Sequence, residues 1–143
     1  MNIGVSNFPL HLLQKVKEEI RAPIFCDQVE FHPFIDQLDL LDYSIENDIM
    51  ITAYSPLAQG RVMESEDMKE IAEKYGKSPA QISLRWLIEQ ENVVAIPKAS
   101  SVDHLEENFD VFDFYLEDED FDRIDQLEKS TRLVNPSFAP DWG

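Results

Sequence analysis

Short apolar runs alternate with longer amphipathic stretches along this chain. Four runs have the length and content of buried strands, and they lie at Ile3–Ser6, Phe25–Phe31, Met50–Tyr54 and Val93–Ile96. Between the runs, apolar residues recur three or four positions apart, as Leu12, Leu13 and Val16 do, which is typical of an amphipathic helix. This spacing predicts helices over Leu10–Ile20, Gln37–Asn47, Ser65–Tyr75, Pro79–Glu89, Ser101–Phe109 and Asp118–Lys129.

The order of these elements indicates a parallel sheet. Strands that alternate with helices at a spacing of about 30 residues form βαβ units, whose helices cover the sheet. The helix at Pro79 has a marked start, because Ser78 can cap it and Gln81 completes a capping box. No low-complexity linker splits the chain. Four such units can form an open doubly wound sheet or half of an eight-stranded barrel.

The glycines favour the barrel. A doubly wound dinucleotide-binding fold carries a glycine-rich turn after its first strand. The glycines here are Gly4, Gly60, Gly76 and Gly143, so that turn is absent. In a barrel, functional groups follow the strands, and polar residues follow all four strands of this sequence. We therefore predict an α/β fold that is half of a (β/α)₈ TIM barrel. It is one incomplete domain over residues 1–143, with four parallel strand–helix units, an extra helix and a C-terminal tail over residues 130–143.

The charge excludes some partners. Twenty-nine acidic and twelve basic residues give a net charge of −17, which should repel nucleic acids and anionic membranes. We expect neither as a partner. The acids are densest between Glu117 and Asp125 but are spread over the chain. They indicate either an acidic interaction surface or a solvated, salt-adapted (halophilic) surface, and the spread favours the second.

Cysteines, histidines and hydropathy add three expectations. With Cys26 as the single cysteine, no intrachain disulfide can form, which fits a reducing compartment. No apolar run approaches the roughly 20 residues of a membrane span, so we expect a cytoplasmic protein. His11, His32 and His104 lack the spacing of metal ligands, so we predict no metal. We expect His32 to order its loop.

The stretches that follow the four strands carry a family resemblance. In chain order they are GVSNF, DQVEFHP, AYSPLAQG and IPKASSVDHLEEN. Together they resemble the second half of an aldo-keto reductase, from about Ile3 to Asn108 and loosely on to the tail VNPSFAPDWG. The resemblance implies that the four strands are the fifth to the eighth of a barrel. It also implies a reductase that uses NADP(H), with NAD(H) as an alternative, to reduce a small aldehyde or ketone.

The same resemblance implies a set of cofactor-binding residues. Those around the nicotinamide would be Ser6, Asn7 and Gln28, which hydrogen-bond its carboxamide, Tyr54, on which the ring stacks, and the adjoining Ser55, Pro56 and Leu57. Those around the adenosine and its 2′-phosphate would be Lys98, Ala99, Ser100, His104, Glu107 and Asn108. His104 stands where the family commonly has an arginine, so use of both NAD and NADP stays open.

The tail offers two substrate candidates. Phe138 and Trp142 either line the substrate pocket or pack over the barrel surface.

The resemblance also limits what this chain can do. In the family, an Asp, Tyr, Lys and His tetrad lies on the first four strands, which have no counterpart in this sequence. We therefore name no catalytic residue and expect the chain alone to be inactive. A half barrel leaves two sheet edges unpaired, so we expect it to need the missing barrel half or self-association. The alternative function is a noncatalytic half barrel that binds a nucleotide or a protein, or a remnant without activity.

Overall fold

Four parallel strands form one sheet at the centre of the molecule. The computed structural model describes residues 2–19, 23–129 and 132–142. The strands are β1 (Ile3–Ser6), β2 (Ile24–Glu30), β3 (Met50–Tyr54) and β4 (Val93–Ala95), and they lie in this order across the sheet. Each neighbouring pair is parallel, which confirms the βαβ prediction.

Helices connect the strands and continue after the last one. They are α1 (Leu10–Glu19), α2 (Leu38–Glu46), α3 (Arg61–Glu64), α4 (Glu66–Tyr75), α5 (Pro79–Glu89), α6 (Val102–Phe109) and α7 (Asp118–Asp125). The predicted end of the first helix, Ile20, lies outside the described residues. So do positions 1, 21, 22, 130, 131 and 143 of the predicted domain and tail.

Two stretches differ from the sequence prediction by more than one residue at an end. The predicted helix to Lys129 ends at Asp125, because Leu127 turns back onto Ile124 and the Lys129 ammonium donates to the Pro33 carbonyl, 2.9 Å away. The short helix α3 and the 3₁₀ turn before it, Ala58–Gly60, were not predicted. A helix of one turn is too short to show a helical period.

The core lies between the sheet and the helices. Alternate residues of β2 and β3, among them Val29, Ile51 and Ala53, are buried on the helix side. Phe31 and Trp86 pack edge to face there, with ring centroids 5.4 Å apart. On the other face of the sheet, Ser6, Gln28 and Thr52 form one lateral row in register. The sheet thus has one packed apolar face and one face of mixed polarity.

The start of α5 has the predicted capping box. The Ser78 hydroxyl accepts from the Gln81 amide at 3.3 Å, and the Gln81 side chain accepts from the Ser78 amide at 2.9 Å. None of the helices in the described ranges is long and apolar enough to cross a lipid bilayer.

Candidate functional site

Hydrogen bonds join the ends of β1, β2 and β3. The Ser6 hydroxyl and the backbone amide of Asn7 both donate to the backbone carbonyl of Gln28, at 3.1 and 2.9 Å. The Tyr54 hydroxyl donates to Oδ1 of Asn7 at 2.8 Å. Parallel strands end at one edge of the sheet, so four residues of the predicted cofactor set come together there although they lie up to 48 positions apart in the sequence. They are Ser6, Asn7, Gln28 and Tyr54.

Asn7 forms the turn that leaves β1. Its φ of 57° lies in the left-handed region, which asparagine tolerates better than most residues. Its side-chain amide is fixed at both ends, since Nδ2 donates to the Ser6 hydroxyl at 3.2 Å and Oδ1 accepts from Tyr54. The orientation of this amide is therefore set within the folded chain.

Tyr54 is a neutral hydrogen-bond donor in this group. Partial burial raises the pKa of its phenol, and the charge of Glu30, opposite it on β2, adds to the rise. The phenol thus keeps its proton at neutral pH and can donate to Asn7.

The next three predicted residues form the loop after β3. Ser55, at a φ of 50°, accepts from the Ala58 amide at 2.8 Å, the Pro56 carbonyl accepts from a hydroxyl of α5 at 2.7 Å, and Leu57 packs on the core.

The predicted residues after β4 lie at the start of α6. Lys98 and Ser100 are exposed, and Ala99 between them is half-buried. Nδ1 of His104 lies 3.3 Å from the Ser100 hydroxyl, within hydrogen-bonding distance. The Ser101 hydroxyl caps the helix by accepting from the His104 amide at 3.1 Å. Lys98 and the amides at the N-terminus of α6 favour an anion at this end of the helix, whereas Asp103 in its first turn opposes one.

Glu107 and Asn108 face α5. The Ser78 hydroxyl donates to the Glu107 carboxylate at 2.5 Å, and the Gln81 side chain donates to the Glu107 carbonyl at 3.2 Å. Asn108 lines an apolar groove of about 220 Å³ between α5 and α6. The structure does not bring these two residues to the group formed by Ser6, Asn7, Gln28 and Tyr54.

Glu30 anchors the C-terminal tail, a role that the sequence prediction missed. Its fully buried carboxylate accepts from the Leu133 and Val134 amides at 2.9 and 3.0 Å. It also accepts from Nε2 of His32 at 3.1 Å. Nδ1 of His32 accepts from the Phe34 amide, so the ring proton is on Nε2, and burial lowers the pKa of the imidazole so that it is neutral. His32 orders its loop, as expected. The available signal for Glu30 was an acid at the end of an apolar strand.

The tail brings Trp142 to a cavity. The Arg132 guanidinium stacks on the Trp142 ring, with its Cζ 3.4 Å from the ring centroid. Both residues line a cavity of about 560 Å³ together with Pro9, Leu10 and residues 36–40. The other tail candidate, Phe138, is 88% exposed and is not among the lining residues.

Asp27 is a second buried carboxyl that the sequence prediction missed. It is 0% exposed, and burial raises its pKa to about 7. Its Oδ1 accepts from the Phe8 amide at 3.4 Å, and its Oδ2 has no hydrogen-bond partner in the part of the chain that the structure describes. An acid directly before Gln28 in an apolar strand was the only signal in the sequence. Within the described ranges, no group of three or more His, Cys, Asp or Glu side chains is arranged to hold a metal ion.

Comparison with known protein families gives a match over most of the chain. Residues 1–129 match the model of the aldo/keto reductase family. The chain is 44% identical over 131 residues to a glyoxal reductase of Bacillus subtilis, covering 92% of this chain and 47% of that protein. It is 38% identical to aldose reductase B of Dictyostelium discoideum, covering 95% of this chain and 44% of that protein.

Solved structures give the same result for the fold. An aldo-keto reductase enzyme from a Medee basin deep-sea metagenome library superposes with a TM-score of 0.90 at 37% identity, covering 97% of this chain and 52% of that chain. An aldo-keto reductase complexed with NADPH superposes with a TM-score of 0.87 at 32% identity, covering 94% of this chain and 44% of that chain. The chain thus spans about half the length of the relatives it matches, and its four strand–helix units have the fold of half of their barrel.

Proposed function

Because the chain belongs to the aldo/keto reductase family, we propose that it supplies the cofactor-binding half of an NAD(P)H-dependent reductase of aldehydes or ketones. The observation that carries this proposal is the hydrogen-bonded group at the ends of β1, β2 and β3. A nicotinamide carboxamide has both donors and acceptors, and the side chains of Ser6, Asn7 and Gln28 offer both in return. The fixed amide of Asn7 gives the site a preset orientation.

Tyr54 has the chemistry of a stacking platform. Its phenol is held by Asn7, and an aromatic ring provides a flat apolar surface with a polar rim. We assign the residues Ser55, Pro56 and Leu57 to the same wall, since their loop is tied to α5. When bound, the reduced nicotinamide supplies a hydride to the substrate carbonyl. The contribution of this chain is to bind and orient the cofactor.

The start of α6 has the chemistry of an anion site. Lys98 supplies a positive charge, and the hydroxyl of Ser100 and the helix amides supply donors, which suits the 2′-phosphate of NADP(H). An imidazole lacks the forked donors with which an arginine clamps a phosphate, so His104 leaves room for NAD(H) as a second cofactor. Ala99, Glu107 and Asn108 complete the proposed adenosine end. Of these, Glu107 would need to keep or exchange its bond to Ser78.

We place the small carbonyl substrate next to the tail. Trp142, stacked against Arg132 at the 560 Å³ cavity, is the candidate for a pocket wall, whereas the exposed Phe138 has less support. A cytoplasmic location stays a prediction, supported by the single cysteine.

The proposed chemistry requires a complementary barrel half. β1 and β4 each pair on one side only within the described sheet, and the inward-facing side chains Val94 and Ile96 are 38% and 46% exposed. We propose that a complementary half closes the barrel and brings the proton donor.

A cofactor titration with charge-matched variants tests the proposal. Lys98→Glu should weaken NADPH binding about tenfold and NADH binding much less, because a phosphate contact is charge-assisted. Lys15→Glu makes the same charge change at an exposed position of α1 and should affect both cofactors slightly and equally. Fluorescence titration measures all four affinities. Absence of NADPH binding by the folded wild-type chain would overturn the proposal.

A further inference from the structure

Asp27 occupies the helix side of β2, directly behind the proposed nicotinamide site. It lies in register between Val5 of β1 and Ile51 of β3. Its side chain shares this face with Val29 and is 0% exposed, whereas the neighbouring Gln28 lies on the opposite face. Asp27 therefore has no direct access to a bound cofactor, and any influence must act through the backbone.

Two consecutive residues of β2 hold two consecutive amides of the turn after β1. The backbone carbonyl of Gln28 accepts from the backbone amide of Asn7 at 2.9 Å, and Oδ1 of Asp27 accepts from the backbone amide of Phe8 at 3.4 Å. Asn7 lies between these contacts at a φ of 57°. The conformation that aims the Asn7 side chain at Tyr54 is thus fixed on one side by a backbone carbonyl and on the other by a titratable group.

The second oxygen of Asp27 leaves the carboxyl balanced between two states. Oδ2 is buried and has no hydrogen-bond partner among the described residues, so the ionised form lacks the donors that a buried carboxylate normally has. Burial accordingly raises the pKa of Asp27 to about 7, and the bond from Phe8 opposes that rise. Both protonation states are populated near neutral pH.

Within the described ranges, the elements that pack around Asp27 add no compensating charge. The Tyr54 phenol on β3 interacts electrostatically with Asp27, but it stays neutral because its own pKa is raised by burial. The register neighbours Val5 and Ile51 are apolar. The helices that follow β1 and β2 bury only uncharged side chains in their described parts, namely Leu13, Leu40, Leu41 and Ser44.

We propose that Asp27 is a positioning residue for the nicotinamide site, and that its gain of a proton loosens the turn that carries Ser6 and Asn7. A carboxylate accepts a hydrogen bond roughly twice as strong as a neutral acid does, so ionised Asp27 holds the Phe8 amide more firmly. The ionised form therefore presents Asn7 in the orientation that binds the cofactor. This inference rests on the proposed function for its ligand, while the hold on the turn itself does not.

The first test compares NADPH affinity with pH in three proteins. From about pH 6 to pH 8.5, the affinity of the wild type should rise about fivefold relative to that of Asp27→Asn, which cannot ionise. Taking the ratio of the two proteins cancels the titration of the cofactor phosphate, which is the same for both. Asp42→Asn, an exposed change on α2, should keep the wild-type profile. Coinciding profiles for the wild type and Asp27→Asn would overturn the inference.

The second test needs no cofactor. The NMR amide signals of Asn7 and Phe8 should titrate near pH 7 in the wild type and stay constant in Asp27→Asn. Constant signals in the folded wild type would overturn the inference even if NADPH binds. If the signals titrate but neither protein binds NADPH, the proposed function fails while the hold of Asp27 on the turn stands.

Discussion

Asp27 and Glu30, both fully buried on β2, differ in how their carboxyl groups are compensated. Glu30 accepts three hydrogen bonds, two of them from the backbone of the tail, whereas Asp27 accepts one long bond and leaves one oxygen without a partner. Glu30 thus links the tail to the strand opposite Tyr54. Asp27 links the turn after β1 to the same strand at a cost in desolvation.

The cost of burying Asp27 predicts a pH-dependent stability. The pKa of Asp27 is about 7 in the folded chain and about 3.9 in an unfolded one, so the unfolded chain releases this proton first as the pH rises. The contribution of Asp27 to the free energy of unfolding is then highest below about pH 4 and falls as the pH rises to 7. Asp27→Asn should therefore raise the free energy of unfolding at pH 8 by roughly 2–4 kcal/mol, and by little at pH 4.

Urea unfolding at both pH values measures this difference. Asp42→Asn is the matched control and should change little at either pH, since it lies exposed on α2. A gain for Asp27→Asn that is equal at pH 4 and pH 8 would show that the buried charge is not its cause.

At the residue scale, the sequence predicted which residues come together at the strand ends but not the buried contacts around them. Ser6, Asn7, Gln28 and Tyr54 were expected together because each follows a strand within a family pattern. The contacts of Glu30 depend on the path of tail residues about a hundred positions away, and no local pattern encodes that path. In the sequence, Asp27 is indistinguishable from an exposed acid in a strand. Its burial is evident only once the helices are known to cover its face of β2.

At the scale of single elements, α5 is fixed by local chemistry at its start. The Ser78 hydroxyl has two partners, since it accepts from the Gln81 amide and donates to the Glu107 carboxylate of α6. This cap was predictable because its residues are adjacent in sequence. The end of α7 was not, because Lys129 reaches a carbonyl on a distant loop, Pro33.

Removing the double contact of Ser78 should destabilise the chain more than removing a simple cap. Ser78→Ala should lower the free energy of unfolding by about 1–2 kcal/mol, because it exposes the first amides of α5 and leaves Glu107 without its donor. Ser101→Ala, at the exposed cap of α6, should cost about 0.5–1 kcal/mol. Denaturant unfolding of both variants gives the comparison, and equal losses would mean that the bond from Ser78 to Glu107 contributes little.

At the scale of the whole molecule, the net charge of −17 dominates. Three basic side chains in the described ranges are each shared between two acids: Lys74 between Glu117 and Asp120, Lys77 between Asp110 and Asp113, and Arg123 between Asp67 and Glu70. Such exposed ion pairs are individually worth little, so the unpaired acids leave a net self-repulsion.

Salt should therefore stabilise the chain. Raising KCl from about 0.1 M to 1 M shortens the Debye length from about 10 Å to about 3 Å and screens the repulsion between acids. The midpoint of thermal unfolding should rise by several degrees, measured by circular dichroism. A midpoint that stays constant or falls would contradict the salt-adapted surface and favour the acidic interaction surface.

The fold of the whole molecule was predictable to the level of parallel strand–helix units. The alternating periods indicate a parallel sheet, and the glycine pattern separates a barrel from a doubly wound fold. The hydrophobic periods do not determine which strands pair with the two edges of the sheet. That pairing depends on the partner strands of β1 and β4, which the periods within these four units do not specify.

The most direct measurement of the central claim is an amide NMR titration of the folded chain with NADPH at high salt. The account predicts that the amide shifts concentrate at the strand ends and at the start of α6, on Ser6, Asn7, Gln28, Tyr54, Lys98 and Ser100. At a given NADPH concentration, Lys98→Glu should reduce the amide shifts at the start of α6 more than those at Asn7. Saturating NADPH that leaves these amides unchanged, in a chain shown to be folded, would contradict the assignment of this half barrel as the cofactor-binding half.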